Sequence, residues 1–186
     1  MSSDNRSAKK IYIIRSIEFV IIGIICLVSD LCSKAYASYY NAEVSVEMIP
    51  WIKNVLYFNY LKNYGAAFSI LTGKTWILLI VTGLILIAAI FALVRMPISP
   101  RFTPLFFVLN FMIFGAIGNL IDRVAFGYVR DFIYFSPINF PVFNVADIYV
   151  TVSVTILVLL ILFYYKDEEL KEFSERITFW KKKTTN

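Results

Sequence analysis

Long uncharged stretches dominate the pattern of apolar and polar positions along the chain. Three of them, residues 76–94, 105–121 and 148–165, contain no Asp, Glu, Lys or Arg. A helix needs roughly 20 apolar residues to cross the hydrocarbon layer of a membrane. Each stretch therefore predicts a membrane-spanning helix.

The first apolar region is interrupted by charge, but we predict a span there as well. Its uncharged core, residues 19–29, must be lengthened by its neighbours to cross a membrane. Arg15 can extend its charged end toward the inner headgroups, and Asp30 can lie near the outer end. A removable signal peptide would end in a small-residue cleavage site, and none is present. We place the four spans at about 11–36, 76–94, 104–121 and 146–165.

The positive charges predict how these helices are oriented. Lys and Arg are concentrated before the first span, between the second and third, and after the fourth. Loops rich in these residues stay in the cytoplasm. Both termini should therefore be cytoplasmic, with outer loops at about 37–75 and 122–145. The basic cytoplasmic tail, 166–186, should form a solvated helix beside the membrane.

The two outer loops contain different local patterns. Residues 44–48 alternate apolar and polar side chains, and residues 56–61 are rich in aromatic and β-favouring ones. We therefore predict a small pair of strands on the outer membrane surface. The segment 127–143 contains Pro137 and Pro141, which predicts a turn or a short hairpin.

Composition narrows the class of protein. Hydrophobic residues make up 59% of the 186 positions, against roughly 45–50% in a soluble domain. We predict one α-helical integral membrane domain, residues 1–186, with four transmembrane helices and a small extracytoplasmic β-element between the first and second. The net charge of +5 fits this topology and membrane phospholipids as partners, rather than nucleic acid.

Some kinds of catalytic site are excluded by residue content. The chain has no histidine, which excludes Ser-His-Asp and Cys-His mechanisms and the HExxH zinc site. Cys26 and Cys32 match no metal-binding or redox spacing, so we expect both to be packing residues.

The candidate chemistry lies in three acids near the outer ends of the helices. Asp122 closes the third span, Asp131 follows in the loop, and Asp147 opens the fourth span. An acid at mid-membrane costs roughly 2.5–3.5 kcal/mol, so such residues normally line an interior or a site. Each acid also has a structural interpretation, Asp147 as a helix N-terminal acid and Asp122 as a partner of Arg123 or of a lipid headgroup.

Asp131 and Asp147 flank a loop that returns the chain to the membrane, so folding brings them close. Two carboxyls a few ångströms apart cannot both ionise, and one keeps a proton. The charged one can take a proton from water while the other polarises or protonates an amide. Such a pair can hydrolyse a peptide bond without a metal or a protein nucleophile.

Four ordered motifs resemble those of bacterial lipoprotein signal peptidases. They are SDLCSK at 29–34, KNYGAAFS at 62–69, GNLIDR at 118–123 with DF at 131–132, and FNVAD at 143–147. The resemblance runs from about residue 11 to 165 and includes the chain length and the four-span plan. Four motifs in the same order are far more specific than any one of them.

This resemblance implies an intramembrane aspartic endopeptidase, a signal peptidase II, of the bacterial cytoplasmic membrane. Such an enzyme removes the signal peptide of a prolipoprotein on the N-terminal side of a diacylglyceryl-modified cysteine, at the outer face. It implies Asp131 and Asp147 as catalytic residues and no metal or cofactor, and we expect a monomer. The other matching polar positions would shape the pocket and bind the lipid-modified substrate: Asp30, Lys34, Asn63, Asn119, Asp122, Arg123 and Asn144.

These polar residues also have structural interpretations. Asp30 and Lys34 are four apart, so on a helix they share a face and can pair. The three asparagines serve equally well as caps of helix ends.

The chain departs from the family pattern at two points. Arg130 precedes Asp131 where an aliphatic residue is commoner, and the spacing from Asp131 to Asp147 is slightly short. Strand alternation would point Arg130 away from Asp131.

Three other functions are weighed against this one. A small transporter or channel could use Asp122, Asp131 and Asp147 as an ion path, but would spread its acids through the membrane. The GxGD class of intramembrane protease fails on spacing, because Gly127 is followed by YVRD. A non-catalytic lipid-binding or assembly protein gives no reason for the four motifs to occur together.

Overall fold

A computed structural model describes residues 3–44, 48–65 and 74–178 of the chain. Its α-helices are α1 (Ser3–Val44), α2 (Thr75–Arg95), α3 (Thr103–Phe126), α4 (Val145–Leu159) and α5 (Asp167–Ile177). Its strands are β1 (Ile49–Ile52), β2 (Leu56–Asn63) and β3 (Val129–Phe135). Short 3₁₀ turns lie at Pro100–Phe102 and Ser136–Ile138, and a π-helical turn, Leu160–Tyr164, continues α4.

Four helical segments of this described part are long and apolar enough to cross a membrane. They are Lys10–Glu43, Thr75–Arg95, Pro100–Phe126 and Val145–Tyr164. The third is mostly buried within the protein, whereas the other three expose most of their apolar surface, as lipid contact requires. Helix α3 is the centre of the bundle, since it packs against α1, α2 and α4. The prediction of four transmembrane helices is confirmed.

Helix α1 is much longer than the span predicted at 11–36. Its 42 residues give a length of about 63 Å, roughly twice the hydrocarbon thickness of a bilayer. The helix continues past Asp30 to Val44. The polar face around Asp30 and Lys34 is covered by α3 and α4.

The sheet has the order β1-β2-β3, and both pairs of strands are antiparallel. The predicted strand at 56–61 is present as β2. The predicted strand at 44–48 is wrong at its two described ends: Val44 is the last residue of α1, and β1 begins only at Ile49. Residues 45–47 lie outside the described part.

The turn or short hairpin predicted at 127–143 is present, since β3 ends in the turn Ser136–Ile138 and Phe143 returns to bridge Ile133. The pairing of β3 with β2 is the main feature that the sequence analysis missed. Arg130 and Asp131 interrupt the apolar residues of β3, and the two prolines follow closely, so the local pattern favours a turn. Pairing with β2, which is distant in sequence, stabilises the strand. Leu61 lies opposite Asp131 and Asn63 opposite Val129, so the sheet brings together the α1–α2 and α3–α4 connections.

The opposite end of the bundle is closed by α5. Leu170 and Phe173 of this helix pack on the main hydrophobic core, while its charged face is exposed. The Arg101 Nε lies 2.7 Å from Glu169 Oε1. Of the two cysteines, Cys26 is buried as predicted, whereas Cys32 is exposed on α1 and the packing prediction is wrong for it.

Two glycines test how closely α3 and α4 pack. A Cβ at Gly115 would lie 2.7 Å from the Ala146 carbonyl oxygen and 2.9 Å from a methyl carbon of Val150, whereas at Gly83 it would meet nothing within 4 Å. Gly115→Ala should therefore lower the free energy of unfolding in detergent by about 1–3 kcal/mol. Gly83→Ala, the matched control, should leave it unchanged or raise it by about 0.5–1 kcal/mol. Equal stabilities would contradict the close helix contact.

Candidate active site

The Asp131 carboxyl is held at the sheet end of the bundle by two asparagines. It is 1% exposed. Asn63 Nδ2 on β2 donates to Oδ2 at 2.8 Å, and Asn144 Nδ2 donates to Oδ1 at 2.6 Å. Because each oxygen has its own donor, the orientation of the carboxyl is fixed.

Asp147 lies in the first turn of α4, where it is part of the helix cap. The Asp147 N–H donates to Asn144 Oδ1 at 3.0 Å, and the Asn144 N–H donates to Asp147 Oδ2 at 3.1 Å. This reciprocal arrangement is a capping box. Asn119 Nδ2 of α3 donates to the other oxygen, Oδ1, at 2.7 Å. The structure thus contains the cap predicted for Asn144, whereas Asn63 and Asn119 bind carboxyls.

Asn144 joins the two acids. Its side-chain NH₂ donates to Asp131 and its side-chain oxygen accepts from the Asp147 backbone. Both carboxyls line one cavity of about 180 Å³ between the sheet and the helix ends. The cavity is also lined by Asn63, Gly65, Asn119, Arg123, Val129, Phe140, Pro141, Val142, Phe143 and Thr151.

Burial changes the protonation of Asp131. It raises the pKa of this carboxyl from the ordinary value of 3.8 to about 7, and the nearby charge of Asp147 acts in the same direction. The hydrogen bonds from Asn63 and Asn144 and the charge of Lys34 act to lower it. Because the pKa is raised, Asp131 carries its proton below about pH 7 and loses it above.

A buried ion-pair network lies behind the carboxyls. The ammonium of Lys34, which is 0% exposed, donates to Asp30 Oδ2 at 2.8 Å and to Asn119 Oδ1 at 2.9 Å. Its Nζ lies 3.8 Å from Asp122 Oδ2. Asp30 Oδ1 accepts the backbone N–H of Ala146 at 3.0 Å. The predicted pairing of Asp30 with Lys34 is confirmed, and it ties α1 to α3 and α4.

Lys34 also determines which way the Asn119 amide points. An ammonium can only donate, so the Asn119 atom facing it must be the carbonyl oxygen. The NH₂ group of Asn119 is thereby directed at Asp147. The buried cation therefore orients the group that holds one of the two acids.

Asp122 does not pair with Arg123, so that structural interpretation is wrong. It accepts three bonds from Arg130: the backbone N–H at 3.0 Å, Nε at 3.1 Å and Nη2 at 2.6 Å. The physical reason is β3, which brings Arg130 beside the end of α3. As strand alternation predicted, the Arg130 side chain points away from Asp131.

The residues predicted to bind substrate divide into two groups. Asp30, Lys34, Asp122 and Asn144 are each 0% exposed, and they do not line the cavity that holds Asp131 and Asp147. They lie behind the acids, where they can shape the pocket as the resemblance implies; contact of these four with substrate stays a prediction. The others, Asn63, Asn119 and Arg123, do line the cavity.

Arg123 differs from the other basic residues around the site. Within the described part of the chain, its half-buried guanidinium makes no hydrogen bond or ion pair. It lines the cavity of the two acids and also a second cavity of about 230 Å³. The second cavity lies among α2, α3 and α4 and is mainly apolar, with Thr82, Ile85, Met112, Ala116, Asn119, Asp147, Val150, Thr151 and Val154.

Thr151 is a cavity residue that the sequence analysis missed. It lines both cavities and stands four residues after Asp147, on the same face of α4. That i, i+4 spacing is the signal by which it could have been found. Across residues 3–44, 48–65 and 74–178, no three His, Cys, Asp or Glu side chains are grouped as a metal site requires.

The buried network predicts a large loss of stability when its cation is removed. Lys34→Met leaves Asp30 without its partner and should lower the free energy of unfolding by about 3–5 kcal/mol. Lys171→Met, which removes an exposed Lys of α5, is the control and should cost less than about 0.5 kcal/mol. Denaturant unfolding in detergent measures both. Equal stability of the two variants would show that Lys34 is not paired as described.

Comparison with known proteins identifies the family. Residues 22–163 match the family model described as signal peptidase (SPase) II, of the peptidase A8 group. A lipoprotein signal peptidase of Clostridium novyi is 39% identical over 146 residues, covering 77% of this chain and 96% of the relative. One from Clostridioides difficile is 37% identical over 148 residues, covering 78% and 95%.

Solved structures agree with this assignment. A bacterial membrane enzyme determined by the in meso method is similar with a TM-score of 0.64 and 30% identity, over 91% of this chain and 94% of that one. A second has a TM-score of 0.65 and 28% identity, over 80% and 94%. With its family model, relatives and fold in agreement, the chain belongs to the signal peptidase II family of aspartic peptidases.

Proposed function

We propose that this chain removes the signal peptides of diacylglyceryl-modified prolipoproteins, with Asp131 and Asp147 as its catalytic residues. Its family supports an aspartic peptidase that acts on prolipoproteins. One observation carries the assignment of residues: the two carboxyls line one cavity and are joined through Asn144. Burial of one of them gives the pair a proton to exchange near neutral pH.

The first step uses the two acids in opposite states. Asp131 holds the proton, and Asp147 is ionised, with donors from Asn119 and from the backbone of Asn144. Asp147 takes a proton from water as the water oxygen bonds to the scissile carbonyl carbon. Asp131 gives its proton to the carbonyl oxygen. A tetrahedral intermediate with two hydroxyls results.

The second step reverses the roles of the two acids. Asp147 delivers its proton to the amide nitrogen as the C–N bond breaks, which releases the amino group of the lipidated cysteine. Asp131 takes a hydroxyl proton back as the carbonyl forms again. The signal peptide leaves with a new carboxyl group, and both acids return to their starting states.

The two cavities provide places for different parts of the substrate. The apolar cavity among α2, α3 and α4 suits the apolar segment of a signal peptide or an acyl chain. The cavity below the sheet suits the polar backbone around the scissile bond. They meet at Asp147, Asn119, Arg123 and Thr151, and the guanidinium of Arg123 can donate to a substrate carbonyl there.

We place the site at the outer face of a bacterial cytoplasmic membrane, with both termini in the cytoplasm. The concentration of Lys and Arg on one side supports this orientation. Trp51 and Tyr64 expose their rings beside the sheet, where the headgroups of phospholipids suit them.

Amide substitutions test the two catalytic residues. Asp131→Asn and Asp147→Asn should each lower cleavage of a diacylglyceryl-modified prolipoprotein by purified enzyme at least about 10³-fold, because an amide cannot exchange the proton. Asp167→Asn, an exposed acid at the start of α5, is the matched control and should keep normal turnover. Near-normal turnover by a folded Asp147→Asn variant would falsify the proposed pair.

The lipid of the substrate should act on the rate as well as on affinity. Each buried methylene of an acyl chain contributes about 0.8 kcal/mol, which holds the modified cysteine at headgroup depth. The lipid thereby positions the scissile bond against the carboxyls. Unmodified prolipoprotein should be cut far more slowly even at saturation. Equal kcat values, with a difference in KM alone, would mean that the lipid merely concentrates substrate in the membrane.

A further inference from the structure

Arg130 joins the strand that carries Asp131 to the end of helix α3. Its Nε and Nη2 each donate to one oxygen of Asp122, and its backbone N–H donates to Asp122 Oδ2 as well. Its guanidinium carbon also lies 4.7 Å from the centre of the Phe126 ring. Asp122 is completely buried and the Arg130 side chain is 11% exposed. The contact is therefore a shielded, two-pronged ion pair.

A second cation competes for the same carboxylate. Lys34 lies 3.8 Å from Asp122 and is already bonded to Asp30 and Asn119. Without Arg130, Asp122 would turn toward Lys34, which would then be its nearest compensating charge. We expect the carboxylate then to lean toward Lys34 and away from the backbone N–H of residue 130, which weakens but does not remove that bond.

The end of α3 thereby holds both catalytic carboxyls. Asn119 binds Asp147 directly. Asp122, three residues later on the helix, binds the residue before Asp131. A change in the orientation of Asp122 therefore moves the start of β3 relative to the partner carboxyl on α4.

We propose that Arg130 is a positioning residue for the proposed peptidase reaction: it holds Asp122 against β3 and so fixes Asp131 in the cavity. The proposal rests on the function proposed above. Arg130 acts through Asp122 and touches neither substrate nor the reacting atoms.

The first test compares Arg130→Leu with Lys62→Leu. Lys62 lies opposite Arg130 on β2 and does not contact Asp122. Lys62→Leu removes the same charge as Arg130→Leu, together with a cation–π contact to Tyr128. Arg130→Leu should lower kcat about tenfold, with KM within about twofold of the parent chain because ground-state binding is unchanged. Lys62→Leu should alter neither by more than about twofold. Arg130→Lys should give an intermediate kcat, since an ammonium cannot make the two parallel hydrogen bonds of the guanidinium to Asp122.

A second measurement does not depend on cleavage. Hydrogen exchange of the backbone amides of β3, followed by mass spectrometry in detergent, should be at least about tenfold faster in Arg130→Leu than in the parent chain or in Lys62→Leu. Faster exchange with unchanged kcat would overturn the positioning role, and so would a lower kcat with unchanged exchange. If the parent chain itself fails to cleave, the proposed function fails while the exchange experiment still tests the ion pair.

Discussion

The burial of one ammonium group, that of Lys34, constrains the rest of this structure. A cation buried among three membrane helices is shielded from bulk water, so the protein must supply acceptors for it. Asp30, Asn119 and Asp122 surround it, from α1 and α3, and Asp30 in turn binds the start of α4. Packing of α1, α3 and α4 near the sheet thereby depends on one set of polar contacts.

The need of the Lys34 ammonium for acceptors also determines the geometry of Asp131 and Asp147. Lys34 orients Asn119, Asn119 binds Asp147, and Asn144 joins Asp147 to Asp131. The same enclosure that makes the cation dependent on its partners keeps Asp131 from water and raises its pKa to about 7. In our account, the network that holds the helices together also gives the peptidase a pair of carboxyls with one proton between them.

The features predicted from sequence are those with a local signal. The second, third and fourth spans were recognised by their long uncharged stretches, which the bilayer requires, and Asp30 meets Lys34 because they are one helical turn apart. The pairing of β3 with β2 was missed because it joins distant segments, and the Asp122–Arg130 ion pair depends on that strand. The sequence predicted the pairing of Lys34 with Asp30 but not its bond to Asn119, because that contact joins helices distant in sequence.

The central claim is that the pair holds one proton near neutral pH, on Asp131. Infrared titration of the protein labelled with ¹³C-aspartate detects protonated carboxyls directly. Because the pKa of Asp131 is raised, we predict one protonated aspartic carboxyl that ionises with a midpoint of about pH 7 and is missing from Asp131→Asn. If every aspartate is already ionised by about pH 5, as for ordinary exposed groups, with no difference between the two proteins, the account is contradicted.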